Sequence, residues 1–207
     1  MTPIKGGWLR NAMWGRRRKP LIETERLYLR PPRYGDFRAW AAERSASRAF
    51  LKPWEPTWAE DHLTRTAFRH RVSWADKAVR RERAYPFFVF MASGGALIGA
   101  VTLDNIRRGP AECATVGYWI GEAYGGRGFM TEALQAVTEF AFGELSLGRL
   151  EAGCLPENGA SRKVLERCGF KYEGVGQAYL RINGRWRDHV LYAKISPRRR
   201  AAPETSG

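Results

Sequence analysis

A chain of 207 residues, 44% hydrophobic and 27% charged, is too short for two full domains and too apolar for a disordered or collagen-like polymer, which leaves one globular domain with short appendages. Its formal charge of +14 favours polyanionic partners, whether an anionic cofactor, RNA or a membrane surface, without choosing among them. Three cysteines without CxxC spacing, Cys113, Cys154 and Cys168, argue against a disulfide framework or zinc site and for a reducing, cytoplasmic setting, and no stretch reaches the roughly 18 uninterrupted apolar residues of a membrane span.

Residues 1–20 hold six basic residues and no acidic one, lack a signal-peptide apolar core, and read as a basic arm that meets a polyanion or merely aids solubility. The domain expected over 21–196 opens on a strand, where Leu27 and Leu29 alternate with Arg26, Tyr28 and Arg30 before Pro31-Pro32. Asp36 is expected to cap a helix carrying Phe37, Trp40 and Ala41, and a proline-punctuated loop, FLKPWEPTW, follows at 50–58. Over 59–83, Leu63, Phe68, Val72 and Val79 mark one or two basic amphipathic helices. Strands at 85–91 and 96–103 form a hairpin across Ser93-Gly94-Gly95, with a third strand at 114–120. The spacing of Met130, Ala133, Leu134, Val137, Phe140 and Ala141 predicts a helix over 128–145. A strand at 149–155, a helix at 161–168 stopped by Gly169, and a hairpin of strands 179–182 and 189–195 joined at Asn183-Gly184 complete the domain; 197–207 read as a flexible basic tail. The order predicts a mixed α/β layout around one central sheet.

Gly125-Gly126-Arg127-Gly128 lies between a strand end near Gly121 and the start of the long helix. Glycines let the backbone turn tightly with N–H groups directed into one concavity, and the helix N-terminus adds about half a positive charge, so a diphosphate would dock there. The spacing is neither the GxGxxG of a dinucleotide fold nor the GxxxxGK[ST] of a P-loop, and an ordinary glycine-rich connection is the other reading.

In that context GYWIGEAYGGRGFMTEAL, residues 117–134, resembles the acetyl-CoA motif of the GNAT N-acetyltransferases, Q/R-x-x-G-x-G/A, with Gly128 at the central glycine, Gly125 where Gln/Arg is usual and Met130 at the last Gly/Ala. PENGASRKVLERCGFKYEG, residues 156–174, resembles the family's second cofactor block, with Asn158 and Ser161 in N-x-x-S spacing. FLKPWEP at 50–56, Met130-Thr131-Glu132-Ala133 and YLRINGRWRDHVL at 179–191 are similar to the RimJ type of ribosomal-protein-alanine N-acetyltransferases; the likeness covers about 21–196.

The resemblance implies a single domain with a mixed, mostly antiparallel central sheet, splayed central strands and helices on both faces. The strand at 117–121 would part from that at 150–154, often at a bulge, and acetyl-CoA would enter the gap. Its pantetheine would meet Trp119, Ile120 and Gly121; its diphosphate would meet Gly125, Gly126, Arg127, Gly128, Phe129, Met130 and Thr131; Asn158 and Ser161 would approach the pantetheine and thiol. The acceptor amine would attack the thioester directly, with no metal and no covalent enzyme intermediate, a backbone N–H stabilising the oxyanion. An N-terminal α-amine, with a pKa of about 7.7–8.0, is partly neutral at cellular pH and needs less of a base than a lysine near 10.4. Glu55 and Asp188 are candidate proton relays, or surface partners of Lys52 and Arg187; Ser161 and Tyr179 are candidate acids, with helix capping as the alternative for Ser161. Trp54, Trp58 and Trp186 wall an acceptor pocket or fill the core, and His62, His70 and His189 are too scattered for a metal site. The implied activity is acetylation of the N-terminal alanine of a ribosomal protein by a cytoplasmic monomer or weak homodimer, its basic surface suited to nearby RNA. The alternatives are acetylation of a small amine, such as a polyamine or antibiotic, in a carboxylate-rich pocket, and a non-catalytic ribosome- or RNA-binding accessory protein.

Overall fold

The computed structural model describes residues 20–200, so residues 1–19 of the expected arm and 201–207 of the tail lie outside the described residues. Two short strands, β1 (Ile22–Glu23) and β2 (Leu27–Arg30), open the domain, with Leu27 and Leu29 buried and Tyr28 and Arg30 half-buried, as period-two alternation requires. A 3-10 turn (Tyr34–Asp36) leads into α1 (Phe37–Ala46) and then α2 (Arg48–Leu51). Asp36 precedes α1 without capping it: its carboxylate accepts from the Arg30 guanidinium at 2.8 and 2.6 Å and from the Arg33 N–H at 2.7 Å, closing the turn instead. The basic amphipathic stretch condenses into one helix, α3 (Arg65–Arg80), started where Thr64 Oγ1 accepts the Ala67 N–H. Phe68, Val72, Ala75 and Ala78 bury one face of α3, leaving Arg65, Arg69 and Arg80 outside.

β3 (Tyr85–Met91) and β4 (Leu97–Arg107) form the expected hairpin, and β5 (Cys113–Ile120), α4 (Phe129–Gly143), β6 (Arg149–Cys154) and α5 (Gly159–Arg167) follow in the predicted order. The last hairpin, β7 (Lys171–Ile182) with β8 (Arg185–Ile195), is much longer than expected. Gly174, Gly176 and the register shifts beside them interrupt the alternation that marks a strand, which conceals the first half of β7 in the sequence. The chain continues past residue 196 as the helical turn α6 (Pro197–Arg200), anchored by Ser196 N–H on the Gly148 carbonyl and Arg199 Nη1 on the Ala111 carbonyl, both at 2.9 Å.

The strands make one sheet in the order β1-β2-β3-β4-β5-β6-β8-β7, antiparallel except for β5 against β6. α4 lies on one face, its Met130, Ala133, Leu134, Val137 and Ala141 packed in a core with Leu29, Val89, Ile98, Val101 and Leu150. Each of the larger side chains there contributes about 1.5–3 kcal/mol by leaving water. Trp40 of α1 and Phe68 and Val72 of α3 pack on the opposite face against Phe88, Phe90 and Ala100. β5 and β6 pair only at Cys113 with Arg149, Ala114 with Leu150 and Thr115 with Glu151, after which they part. β5 meanwhile keeps an unshifted register with β4 from Thr115 to Ile120, so the parting is a wedge; the bulge implied by resemblance lies elsewhere, between Asp104 and Arg107.

Candidate active site

At its parted end β5 runs through a 3-10 turn (Glu122–Tyr124) into the glycine bend, which therefore sits beside the wedge. Gly126 and Gly128 have φ of +71° and +80°, conformations that L side chains rarely adopt. A Cβ at Gly126 would meet nothing within 4 Å, and one at Gly128 would approach only Arg26 Nη2, at 3.5 Å. No side chain caps α4, and its first bond runs from Glu132 N–H to the Gly128 carbonyl at 3.0 Å. The N–H groups of Phe129, Met130 and Thr131 consequently point out of the helix end, a donor set suited to phosphate. Phe129 and Met130 are buried, which fixes that end to the core, while Arg127 is exposed with its guanidinium 5.2 Å over the Phe129 ring.

A clamp that sequence reasoning missed holds the bend. Glu132 accepts the Thr24 hydroxyl at 2.6 Å, the Arg26 N–H at 3.0 Å and Arg26 Nε at 2.6 Å, and Arg26 Nη1 reaches the Arg127 carbonyl at 3.3 Å. Burial alone would raise the Glu132 carboxyl, but the bonds from Thr24 and Arg26 outweigh it and hold its pKa below the ordinary 4.5. The partners lie more than a hundred residues apart, and no local pattern links them.

Along β5, backbone groups alternate in direction. Gly121 N–H bonds to the Ile98 carbonyl of β4 at 2.8 Å, which turns the groups of Trp119 and Gly121 toward β4 and those of Tyr118 and Ile120 toward the wedge. Of the three residues expected to meet pantetheine, only Ile120 offers its backbone to the gap. The Tyr118 hydroxyl lies 2.8 Å from Ser161 Oγ, beside buried Cys154. Burial keeps the Tyr118 phenol protonated well above its ordinary range, although the Ser161 bond pulls the other way. Asn158 caps α5, its Oδ1 accepting the Ser161 N–H at 3.0 Å, so the Ser161 hydroxyl is not the cap. Tyr118 was missed; sharing the strand parity of Ile120 was the available signal.

Tyr179 stands apart from this pair. Its ring lies 5.6 Å from that of buried His189 and over Gly153, on the sheet face opposite to Ser161. Asp188 is exposed and accepts the Ala178 N–H at 2.8 Å, bracing the irregular part of β7.

On that opposite face a cavity of about 320 Å³ is walled by Trp40, Trp58 and Trp119 with Arg44, Glu55, His62 and Arg71. Of the three tryptophans expected at a pocket, Trp58 lines it, Trp54 does not, and Trp186 is 66% exposed. Glu55 does not pair with Lys52 or Arg187. Its two oxygens take Arg44 at 2.7 and 2.5 Å and Trp58 Nε1 at 2.7 Å, and its carbonyl accepts the Asn183 N–H of the last hairpin at 3.0 Å. Arg44 sits over Trp58 and Trp119, 4.3 and 4.8 Å from their centroids. His62 stacks on Trp58 at 4.6 Å, and burial, then the charges of Arg44 and Arg71, lower its pKa to about 4. Of these groups Arg44, His62 and Arg71 were not anticipated as site residues, because three separate segments bring them together.

Among the described residues no group of three His, Cys, Asp or Glu side chains could hold a metal ion, and no helix is long and apolar enough to cross a membrane. Residues 26–171 match the family model of the acetyltransferase (GNAT) domain. "Probable N-acetyltransferase YjcK" of Bacillus subtilis (strain 168) is 36% identical over 177 residues, spanning 86% of this chain and 98% of that protein. The ribosomal protein uS5-alanine N-acetyltransferase of Escherichia coli (strain K12) is 34% identical over 179 residues, 86% of this chain and 92% of that one. The solved structure of Mycobacterium smegmatis RimJ in complex with CoA-disulfide is 34% identical and superimposes with a TM-score of 0.78 over 83% of each chain. The chain belongs to the GNAT acetyltransferase family and is an N-acetyltransferase.

Proposed function

We propose that this enzyme transfers the acetyl group of acetyl-CoA to an N-terminal α-amine, with a ribosomal protein beginning in alanine as acceptor, in the cytoplasm. One juxtaposition carries the reading: the wedge in the sheet has the glycine bend of α4 on one side and the tryptophan-walled cavity on the other, and Trp119 of the parted strand belongs to that cavity. The N–H groups of Gly126 and Phe129–Thr131 hold the diphosphate, with Arg127 adding charge, and the backbone of Tyr118 and Ile120 pairs with pantetheine. The neutral amine attacks the thioester carbonyl carbon, the Ile120 N–H steadies the oxyanion, and as the C–S bond breaks the Tyr118–Ser161 hydroxyl pair supplies a proton to the sulfur. Glu55, bound on both oxygens, anchors the cavity wall and leaves the amine proton to solvent.

The acceptor class rests on charge and on likeness. Among the described residues the only carboxylate lining the cavity, Glu55, is matched by Arg44, with Arg71 beside it, an arrangement that repels a polyamine. The relative from Escherichia coli is named for uS5-alanine acetylation, and the exposed basic face of α3 suits a ribosome-bound acceptor. Calorimetry with acetyl-CoA tests the cofactor half: Gly128→Glu should abolish binding, and unchanged binding would remove the bend from the site. Mass spectrometry of ribosomal proteins from cells lacking the gene tests the acceptor half. An N-terminal alanine that loses its acetyl group is expected; unaltered N-termini together with turnover on small amines would reverse the assignment.

A further inference from the structure

We infer that the tryptophan-walled cavity is a specificity pocket for a carboxylate side chain carried just behind the acceptor amine. The inference rests on the N-terminal peptide reading above and deepens it. The cavity's charges do not cancel. Arg44 is 4% exposed and is matched by Glu55, which also accepts from Trp58 Nε1. Arg71, in contrast, lies 5.3 Å over the Trp40 ring and forms no ion pair with any described residue. His62 between them, with its pKa lowered to about 4, brings no charge at neutral pH and no negative countercharge. The net result is one guanidinium in excess: Arg71, exposed at the cavity mouth, shares the single Glu55 carboxylate with Arg44, and the indoles of Trp40, Trp58 and Trp119 beside it make an anion there feel a stronger field than on an open polar surface.

The dimensions fit a peptide. A compact cavity of about 320 Å³ is roughly 8 Å across, the reach of two or three extended residues. With the amine at the Trp119 end beside the wedge, the next side chains fall toward Arg71. Guanidinium is a planar donor that takes carboxylate two-pronged, whereas a lysine in the same register meets like charge.

The test is a series of alanine-starting peptides carrying Asp or Glu at the second, third or fourth position, each against its Asn or Gln isostere and a Lys counterpart. At one position the acid should exceed its amide in kcat/KM by about tenfold, mostly through KM, and the advantage should shrink at high ionic strength. Arg71→Gln should bring the acid-to-amide ratio near one, and Arg71→Lys should keep much of it. A ratio near one in the wild type, or a ratio that survives Arg71→Gln, overturns the inference. Should Arg71→Gln fail to fold, a wild-type ratio indifferent to salt overturns it equally. Acetylation of no peptide alongside acetylation of small amines would overturn the N-terminal reading itself, and the pocket assignment with it.

Discussion

Replacing Arg26 with alanine should weaken coenzyme binding out of proportion to its effect on the fold. Arg26 Nε lies 2.6 Å from Glu132, its guanidinium 4.6 Å over the Phe129 ring, and its side chain is 43% exposed. At that exposure the ion pair contributes at most about 1 kcal/mol. The contact with the ring adds about 0.5–1 kcal/mol. A loss of about 1–2 kcal/mol lowers Tm by roughly 3–6 °C in a chain of this size. Binding suffers twice. Arg127 and Phe129 lose their support, and Glu132, still held by Thr24 and the backbone N–H of residue 26, becomes an uncompensated anion in the first turn of α4, where the diphosphate should sit. Together these cost about 1.5–2 kcal/mol, a rise in Kd of roughly 10–30-fold. The double variant Arg26→Ala/Glu132→Gln removes the repulsion and should recover affinity to within about fivefold while Tm stays low. Thermal unfolding and calorimetry with coenzyme A read both quantities. Wild-type affinity in the single variant, or a double variant no better than the single, would refute the clamp.

Tyr118→Phe and Ser161→Ala should each lower kcat by about 10–100-fold with KM little changed, and the double variant should be no slower than the slower single if the hydroxyls act as one donor. Multiplying losses in steady-state kinetics would separate them. Glu55→Ala strands the buried Arg44 guanidinium and should cost about 3 kcal/mol or more in denaturant unfolding, while the pH–rate profile of the surviving activity keeps its shape. Disappearance of the ascending limb would make Glu55 the base after all. For His62 the folded pKa of about 4 lies below the ordinary 6.5, so between these values the unfolded chain takes up a proton that the fold refuses. Stability should be fully present above pH 6.5 and fall as pH drops toward 4, by about 1–2 kcal/mol once solvent screening of the half-exposed ring is taken into account. His62→Gln should flatten that slope, and a wild type equally stable at both ends would remove the effect.

The parts legible in the sequence are those whose cause is local. The bend at Gly125–Gly128 announces itself because the positive φ at Gly126 and Gly128 favours glycine, and α4 because its apolar positions recur within one continuous run. Where causes are distant, single residues mislead. Glu55 reads as a proton relay or a surface partner of Lys52 because nothing in the loop reveals that Arg44 of α1 folds back onto it. For Ser161, a candidate acid, the sequence leaves capping open as the alternative because the serine begins the predicted helix, whereas the cap stands three residues earlier in Asn158 and leaves the serine hydroxyl to Tyr118. The charge of +14 pointed to polyanions, yet the balance of Arg44, Glu55 and Arg71 within one cavity, on which the proposed acceptor class rests, is something to which the total is blind.

The wedge itself follows from how the sheet is joined. β4 with β5 and β6 with β8 are antiparallel pairs with extensive registers, whereas β5 and β6, separated in the chain by the α4 crossover, share only three residue pairs. Gly99 lets β5 lie close on β4: a Cβ there would stand 2.4 Å from the Trp119 carbonyl oxygen. With β5 drawn to β4 and β6 paired along its whole length to β8, the strand ends beyond Thr115 and Glu151 have no common partner to hold them together. The right-handed twist of each half then carries those ends apart. The hairpins on either side can be read from turn residues and alternation; their joint cannot, because it depends on which neighbour each strand pairs with more fully.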